Sequence, residues 1–451
     1  MNEVRTEEMD FGKTEIPTLF RKIFIPTLLG MIAGVSLTIA DGIFVGRGVG
    51  SDALAAINIV APLFMLVTGL ALMAGIGCSI AVSLNMAKGK FRMANLHMNQ
   101  SVMAFTLLII LLAAVIAVAT GPISSVLGAT DRLAPLATKY LYYIAYGFPC
   151  LLLMNMGMFV IRLDGNPQYA MLCSVIPAAI NMLLDYLFIF PFGMGIEGAA
   201  IATTLGFVSG GIMVMSYLVR RGKRLKIQLR LPNLSYLKCG VRNIGWHIRL
   251  GSSALFGELA VAVMMFAGNY VFVRMLGEDG VAAFSVACYC YPLVFMVSNA
   301  IGQSAQPIIS YNYGQQNNVR LRQAVKITFL TASATGMLIT ALMVVLGHEV
   351  IALFLQPDST AYRIAVEGMP LFALGFLLFL LNIAAVSYYQ STERTLIATS
   401  ISTLRGVVFP IITFTILPYL FGVAGIWLSV ACADGMALAL LSILYIRQRS
   451  A

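Results

Sequence analysis

The chain has 451 residues, of which 59% are hydrophobic and only 11% charged, against roughly a quarter charged in a soluble domain. This composition excludes a water-soluble globular protein. The formal charge of +10 is spread between apolar runs and so argues against a nucleic-acid-binding surface.

Runs of about 20 apolar residues, enough to cross the ~30 Å hydrocarbon core as helix, recur near residues 23–45, 54–86, 98–120, 133–160, 168–190 and 197–219. A second series follows near 250–275, 281–313, 324–347, 362–389, 396–417 and 422–446. The sequence therefore predicts an all-α polytopic membrane protein with twelve transmembrane helices, numbered one to twelve here in chain order. The stretch MNEVRTEEMDFGKTEIPTLFRK ahead of helix one mixes acids and bases. Helix one is too long for a signal-peptide core and lacks a small-residue cleavage site, so it reads as a retained anchor. Seven scattered cysteines make no CxxC or zinc spacing and read as small apolar residues.

Charge placement fixes an expected orientation. All but five of the 29 Lys and Arg (Arg47, Arg132, Lys139, Arg274 and Arg363) fall on one side of a twelve-crossing chain or on the helices nearest it. The positive-inside rule then puts both termini in the cytoplasm and the protein in the cytoplasmic (inner) membrane. The densest run, RRGKRLKIQLR from Arg220 to Arg230, joins helices six and seven and reads as an orienting loop that can touch anionic lipid.

A single shift of 227 residues aligns the two halves. It sets FVGRGVGSDALAA (Phe44 to Ala56) on VFVRMLGEDGVAA (Val271 to Ala283) and pairs Gly75 with Gly302, Ser83 with Ser310, Asn85 with Asn312, Asn155 with Asn382, Pro191 with Pro418 and Gly195 with Gly422. Six crossings per unit make this a parallel repeat, a plan that transporters use to place substrate at the repeat interface and to alternate access by rocking one lobe against the other. The expected organisation is a six-helix lobe at 1–219, a basic cytoplasmic linker at 220–249 and a second six-helix lobe at 250–451.

The halves differ where polar residues enter mid-helix. Asp41 pairs with Gly268, Asn181 with Val408, Asp185 with Ile412 and Thr203 with Val430, so every polar member belongs to the first lobe. In the other direction Glu258 pairs with Met31, Arg405 with Ala178 and Asp434 with Phe207. An acid at a helix centre costs about 2.5–3.5 kcal/mol on insertion scales and normally faces the bundle interior. Asn181 and Asp185 are one helical turn apart and share a face. With Asp41 and Thr203 they would form a pocket suited to a proton shared between carboxyls or to Na⁺, a hard cation that takes carboxylate, amide and hydroxyl oxygens. The plainer alternative is a set of interhelical hydrogen bonds worth ~0.6 kcal/mol each.

No nucleotide-binding GxxxxGK[ST] is present, and His97, His247 and His348 lie in separate segments without ligand spacing. Nothing in the chain suggests an enzyme or a cofactor. An ion gradient is the expected energy source.

The stretches IPTLLGMIAGVSLTIADGIFVGRGVGSDALAAINIVAPLF and NMLLDYLFIFPFGMGIEGAAIATTLG, with the two-lobe plan, resemble the multidrug and toxic compound extrusion (MATE) transporters, nearest the prokaryotic DinF-like and MepA-like branches. The resemblance implies that Asp41, Asn181, Asp185 and Thr203 form a cation site with Asn155 beside it, and that Pro26 is a hinge in helix one; the plainer reading of Pro26 is a first-turn proline. NorM-type members also use acids in helices seven and ten. Here helix seven offers Glu258 and helix ten Asn382, so a second-lobe polar site would comprise Glu258, Asn382, Arg405 and Asp434, or Arg405 would simply pair with Asp434 or Glu258. The run YCYPLVFM suggests substrate contacts at Tyr289, Tyr291, Phe295 and Met296. The expected function is H⁺- or Na⁺-coupled antiport of amphipathic, mainly cationic, organic compounds by a monomer in the lipid bilayer. A flippase for lipid-linked sugars and a channel or receptor are the alternatives.

Overall fold

The computed structural model describes residues 9–227 and 234–450, and every regular element among them is helical. Residues 1–8 of the N-terminal stretch and residues 228–233 of the basic linker lie outside the described residues. Helices one to three are Ile16–Gly48, Ser51–Ala87 and Phe91–Val118. Helix four is a pair, Ala134–Ala145 and Phe148–Leu163, bent by 51°. Helices five and six are Pro167–Ile189 and Gly195–Ser216, the latter prolonged by a π turn at Tyr217–Arg221. Helices seven and eight form the stretch Leu234–Gly314, broken at Gly277. Helices nine and ten are Asn318–Ala352 and Thr360–Ser391. Helices eleven and twelve run from Thr395 to Ser450 with a π turn at Leu404–Val408 and a break at Gly422.

Nine of these stretches are individually long and apolar enough to cross a membrane, and the bent pair makes a tenth. Two of the ten each contain two crossings, separated at Gly277 and Gly422. The protein is thus a multi-pass membrane protein whose described residues carry the twelve helices of the sequence pattern.

The local causes are plain. Prolines occupy the first turns at Pro17, Pro135, Pro149 and Pro167, where a missing N–H costs nothing. The side chains of Asn166 and Ser359 cap helices five and ten by accepting from the backbone N–H of Tyr169 and Tyr362, both at 3.1 Å. The breaks obey the repeat. Gly50 and Gly277 have φ of 115° and 65°, and Gly195 and Gly422 have φ of 59° and 58°, values that only glycine adopts freely. Helix four was a single run by hydropathy. Its bend falls at Gly147 and Pro149, where a proline removes one backbone donor.

The chain divides into two compact units, Met1–Leu255 with Pro307–Leu321, and Phe256–Gln306 with Arg322–Ala451. In the first, Asp164 accepts from the hydroxyl of Tyr217 at 2.9 Å and from the backbone N–H groups of Lys223, Arg224 and Leu225 at 2.8, 2.8 and 3.0 Å. The start of the basic linker is therefore tied down. Arg320 donates to the carbonyls of Phe11 and Thr14 and to Asn312 Oδ1, which holds the N-terminal stretch in the same way. His97 and His247, far apart in sequence, meet with Nδ1 3.0 Å from Nε2 in the interior, and Ser101 bonds the far side of the His247 ring.

The second unit has an aromatic core. Phe272 and Phe284 stack with centroids 4.5 Å apart, Trp427 stands edge-on to Phe272 at 5.0 Å, and Phe372 packs edge-on to Phe284 at 6.3 Å. The repeat counterparts of these four are Val45, Ile57, Ala200 and Ala145. Aromatic rings in this unit thus stand where the other repeat has aliphatic side chains.

Candidate functional site

In the first unit helix five presents Asn181 and Asp185 on one face, and the Asn181 amide donates to Asp185 Oδ2 at 2.9 Å. Asp185 is fully buried and Asn181 only 3% exposed. Helix one packs along helix five and brings Asp41 within electrostatic reach of Asp185. One oxygen of each, Oδ1 in both, is buried with no hydrogen-bond partner. Neither carboxylate has an ion pair among the described residues. Two acceptor-only groups facing each other in a medium of low dielectric repel strongly. A proton or a cation shared between them would relieve that repulsion.

Helix four supplies a residue that sequence reasoning missed. Tyr140, 5% exposed, lies within electrostatic reach of both acids and of the hydroxyl of Thr203. Thr203 itself donates to the carbonyl of Ala199 at 3.0 Å in its own helix, which leaves its lone pairs available. The signal was present in the repeat, which matches Tyr140 to Glu367, a pair as unlike as those that drew attention to Asp41 and Asp185. Asn155, by contrast, turns its amide to the carbonyl of Leu151 one turn back in its own helix, at 3.0 Å, and makes no hydrogen bond to the acids. Pro26 sits inside helix one, and Pro17 holds the first-turn place. The first-turn reading of Pro26 is thereby corrected.

The second unit groups three of its four isolated polar residues. Arg405 Nε lies 3.3 Å from Asp434 Oδ1, both side chains almost wholly buried, and the Asn382 amide donates to the Asp434 carboxylate at 3.0 Å and to its carbonyl at 2.9 Å. The guanidinium sits 4.3 Å above the Phe379 ring and lies within electrostatic reach of Tyr291. Glu258 is half-buried on helix seven and joins neither partner. Of the aromatic run, Tyr291 and Phe295 pack on Phe379 with centroids at 5.2 and 6.1 Å, and Met296 is buried. Tyr289 stacks instead on Phe354 and is 66% exposed, so the four residues do not form one surface.

The counterpart of Asp41 explains the asymmetry. A Cβ on Gly268 would come 2.4 Å from the ring of Phe284, so the second unit has no room for any side chain there.

A duplicated bundle of twelve membrane helices, with a buried acid cluster in one repeat, defines a membrane transporter of the two-lobe helical class. The chain belongs to the MatE family, which it matches twice, over residues 26–187 and 254–416, once in each repeat. It is 22% identical over 448 residues to the multidrug export protein MepA of Staphylococcus aureus (strain MRSA252), covering 97% of this chain and 95% of that one. It is 27% identical over 311 residues to the FAD transporter of Shewanella oneidensis, 66% of each chain. Among solved structures, a MATE protein in the bent conformation superposes with a TM-score of 0.88 at 22% identity, covering 98% of this chain and 97% of that one. The same fold in the straight conformation gives 0.87 at 23% identity, with 98% of each chain covered.

Proposed function

We propose that this protein is an antiporter of the cytoplasmic membrane that exports amphipathic organic compounds, chiefly cations, against inward movement of H⁺ or Na⁺. The observation that carries this reading is the pair of buried, unpartnered oxygens on Asp41 and Asp185. A coupling ion bound between the two carboxyls, with Asn181, Tyr140 and Thr203 around it, would satisfy both. Ion and substrate then exclude each other: charging the site favours release outside, and losing the ion inside resets it. A membrane potential of 100 mV adds about 2.3 kcal/mol per net charge moved. The two named conformations of a structural neighbour support alternation between states, with Pro26 as a site where helix one can flex. The substrate class draws support from MepA, named as a multidrug exporter, and the FAD transporter extends the range to a flat anionic compound. Both termini are cytoplasmic by the positive-inside rule, and one chain, carrying both repeats, is the working unit.

The deciding experiment reconstitutes the protein in vesicles, imposes pH and Na⁺ gradients separately, and follows efflux of ethidium. Asp41→Asn and Asp185→Asn are expected to abolish gradient-driven export, and undiminished export in both would overturn the assignment. The gradient that works names the ion. A flippase for lipid-linked sugars would show no gradient-driven efflux of ethidium.

A further inference from the structure

The two units contain the same chemical motif on unrelated positions. In the first, the amide of Asn181 donates to the carboxylate of Asp185; in the second, the amide of Asn382 donates to the carboxylate of Asp434. Asn181 corresponds by the repeat to Val408 and Asp434 to Phe207, so neither motif is a copy of the other. In both, a buried oxygen next to the motif is left unpartnered: Oδ1 of Asp185 and Oδ1 of Asn382. What differs is the third group. The first unit adds a second carboxyl, Asp41, and no base; the second adds Arg405.

We infer that Arg405 is a tethered cation occupying the place at Asp434 that a coupling ion would otherwise take, and that it thereby confines ion coupling to the first unit. This rests on the antiport reading above. A guanidinium stays protonated under all conditions a protein meets, and its tether keeps it at the carboxylate at an effective concentration that free ions do not match. Its position is built rather than incidental. It rides on the π turn Leu404–Val408, a local irregularity characteristic of functional positions. The next residue, Gly406, lets helix eleven close on helix seven, since a Cβ there would fall 2.1 Å from that of Ala260. One face of the guanidinium lies on the Phe379 ring. Displacing it by H⁺ or Na⁺ would leave a buried charge without a partner. Asp434 therefore holds the same counter-ion through the whole cycle.

The test measures how many coupling ions accompany each ethidium, from the steady-state ethidium ratio across vesicles as the driving gradient is varied. Arg405→Met is expected to free Asp434 and Asn382 Oδ1 for one further ion, so that the ratio steepens by about tenfold per unit of pH or pNa. Arg405→Lys and the double variant Arg405→Met with Asp434→Asn are expected to keep the slope of the unmodified protein. An active Arg405→Met with an unchanged slope overturns the inference. Should Arg405→Met not fold, the double variant decides: an unmodified slope supports the inference, and a shallower one shows that Asp434 already carries a coupling ion and overturns it. Absence of any gradient-driven transport by the unmodified protein would instead overturn the antiport reading itself.

Discussion

Ser310 donates a hydrogen bond of 2.9 Å to Ser83, the residue 227 positions earlier that the internal repeat assigns as its counterpart. One turn further on, the counterparts Ala87 and Gly314 meet so closely that a Cβ on Gly314 would come 2.8 Å from that of Ala87. Between them Asn85 and Asn312 make the same bond, each to the carbonyl four residues back, at 2.8 Å in both copies. The two copies of this stretch thus pack against each other with matching internal geometry. Ser83→Ala and Ser310→Ala are each expected to lower stability by about 0.5–1.5 kcal/mol. Ser83→Ala is the milder, because Ser310 can still turn to the carbonyl of Pro307. A double-mutant cycle read by thermal unfolding in detergent should give a coupling of about 0.6 kcal/mol.

Freeing the linker tests a different tie. Asp164 satisfies three consecutive backbone N–H groups that otherwise have no helix or strand to bond them. Asp164→Ala leaves all three without their acceptor. Trypsin is expected to cleave at Lys223, Arg224 and Lys226 many times faster in this variant than in the unmodified protein, with Asp164→Asn intermediate because its amide oxygen still accepts.

Much of the architecture was legible because hydropathy and the 227-residue shift report burial and duplication directly. The twelve runs, the breaks at Gly277 and Gly422, and the meeting of Asn181 with Asp185 all follow from spacing along one helix or from the repeat. Contacts between distant segments were not legible. His97 and His247 are 150 residues apart, and no local pattern announces their pairing. Tyr140 reads as an ordinary aromatic in an apolar run until helix four is seen against helices one, five and six. Asn155, which the family resemblance places beside the acids, turns to its own helix because a carbonyl one turn back is within reach of its amide. Arg405 had two possible acids in sequence; the fold brings it Asp434.

The breaks themselves are sharp predictions. Gly277 at φ 65°, ψ −153° and Gly422 at φ 58°, ψ −133° lie where a Cβ meets the backbone. Replacing either with Ala is expected to destabilise by about 1–3 kcal/mol although nothing lies within 4 Å of the added atom. Ala at Gly121, which is equally uncrowded but helical, is expected to be neutral or slightly stabilising. Thermal unfolding of the three variants side by side separates backbone strain from crowding.

Tyr140→Phe removes one hydroxyl from the acid pocket and leaves the ring packing in place. The variant is expected to fold and to export, but to need a several-fold higher ion concentration for half-maximal export, corresponding to about 1 kcal/mol for a lost hydrogen bond. Thr203→Val should have a similar effect. The double variant should be little worse than either alone, since the two hydroxyls interact with each other. Initial rates of ethidium efflux over a titration of the driving ion supply the measurement.

The closeness of Gly268 to Phe284 has a historical consequence. An acid in the second repeat at the place of Asp41 cannot arise by one substitution, because the ring must shrink before any side chain fits, and the ring is stacked on Phe272 and faced by Trp427 and Phe372. Restoring an acid at Gly268 therefore takes at least two coordinated changes, one at the glycine and one at the ring it faces.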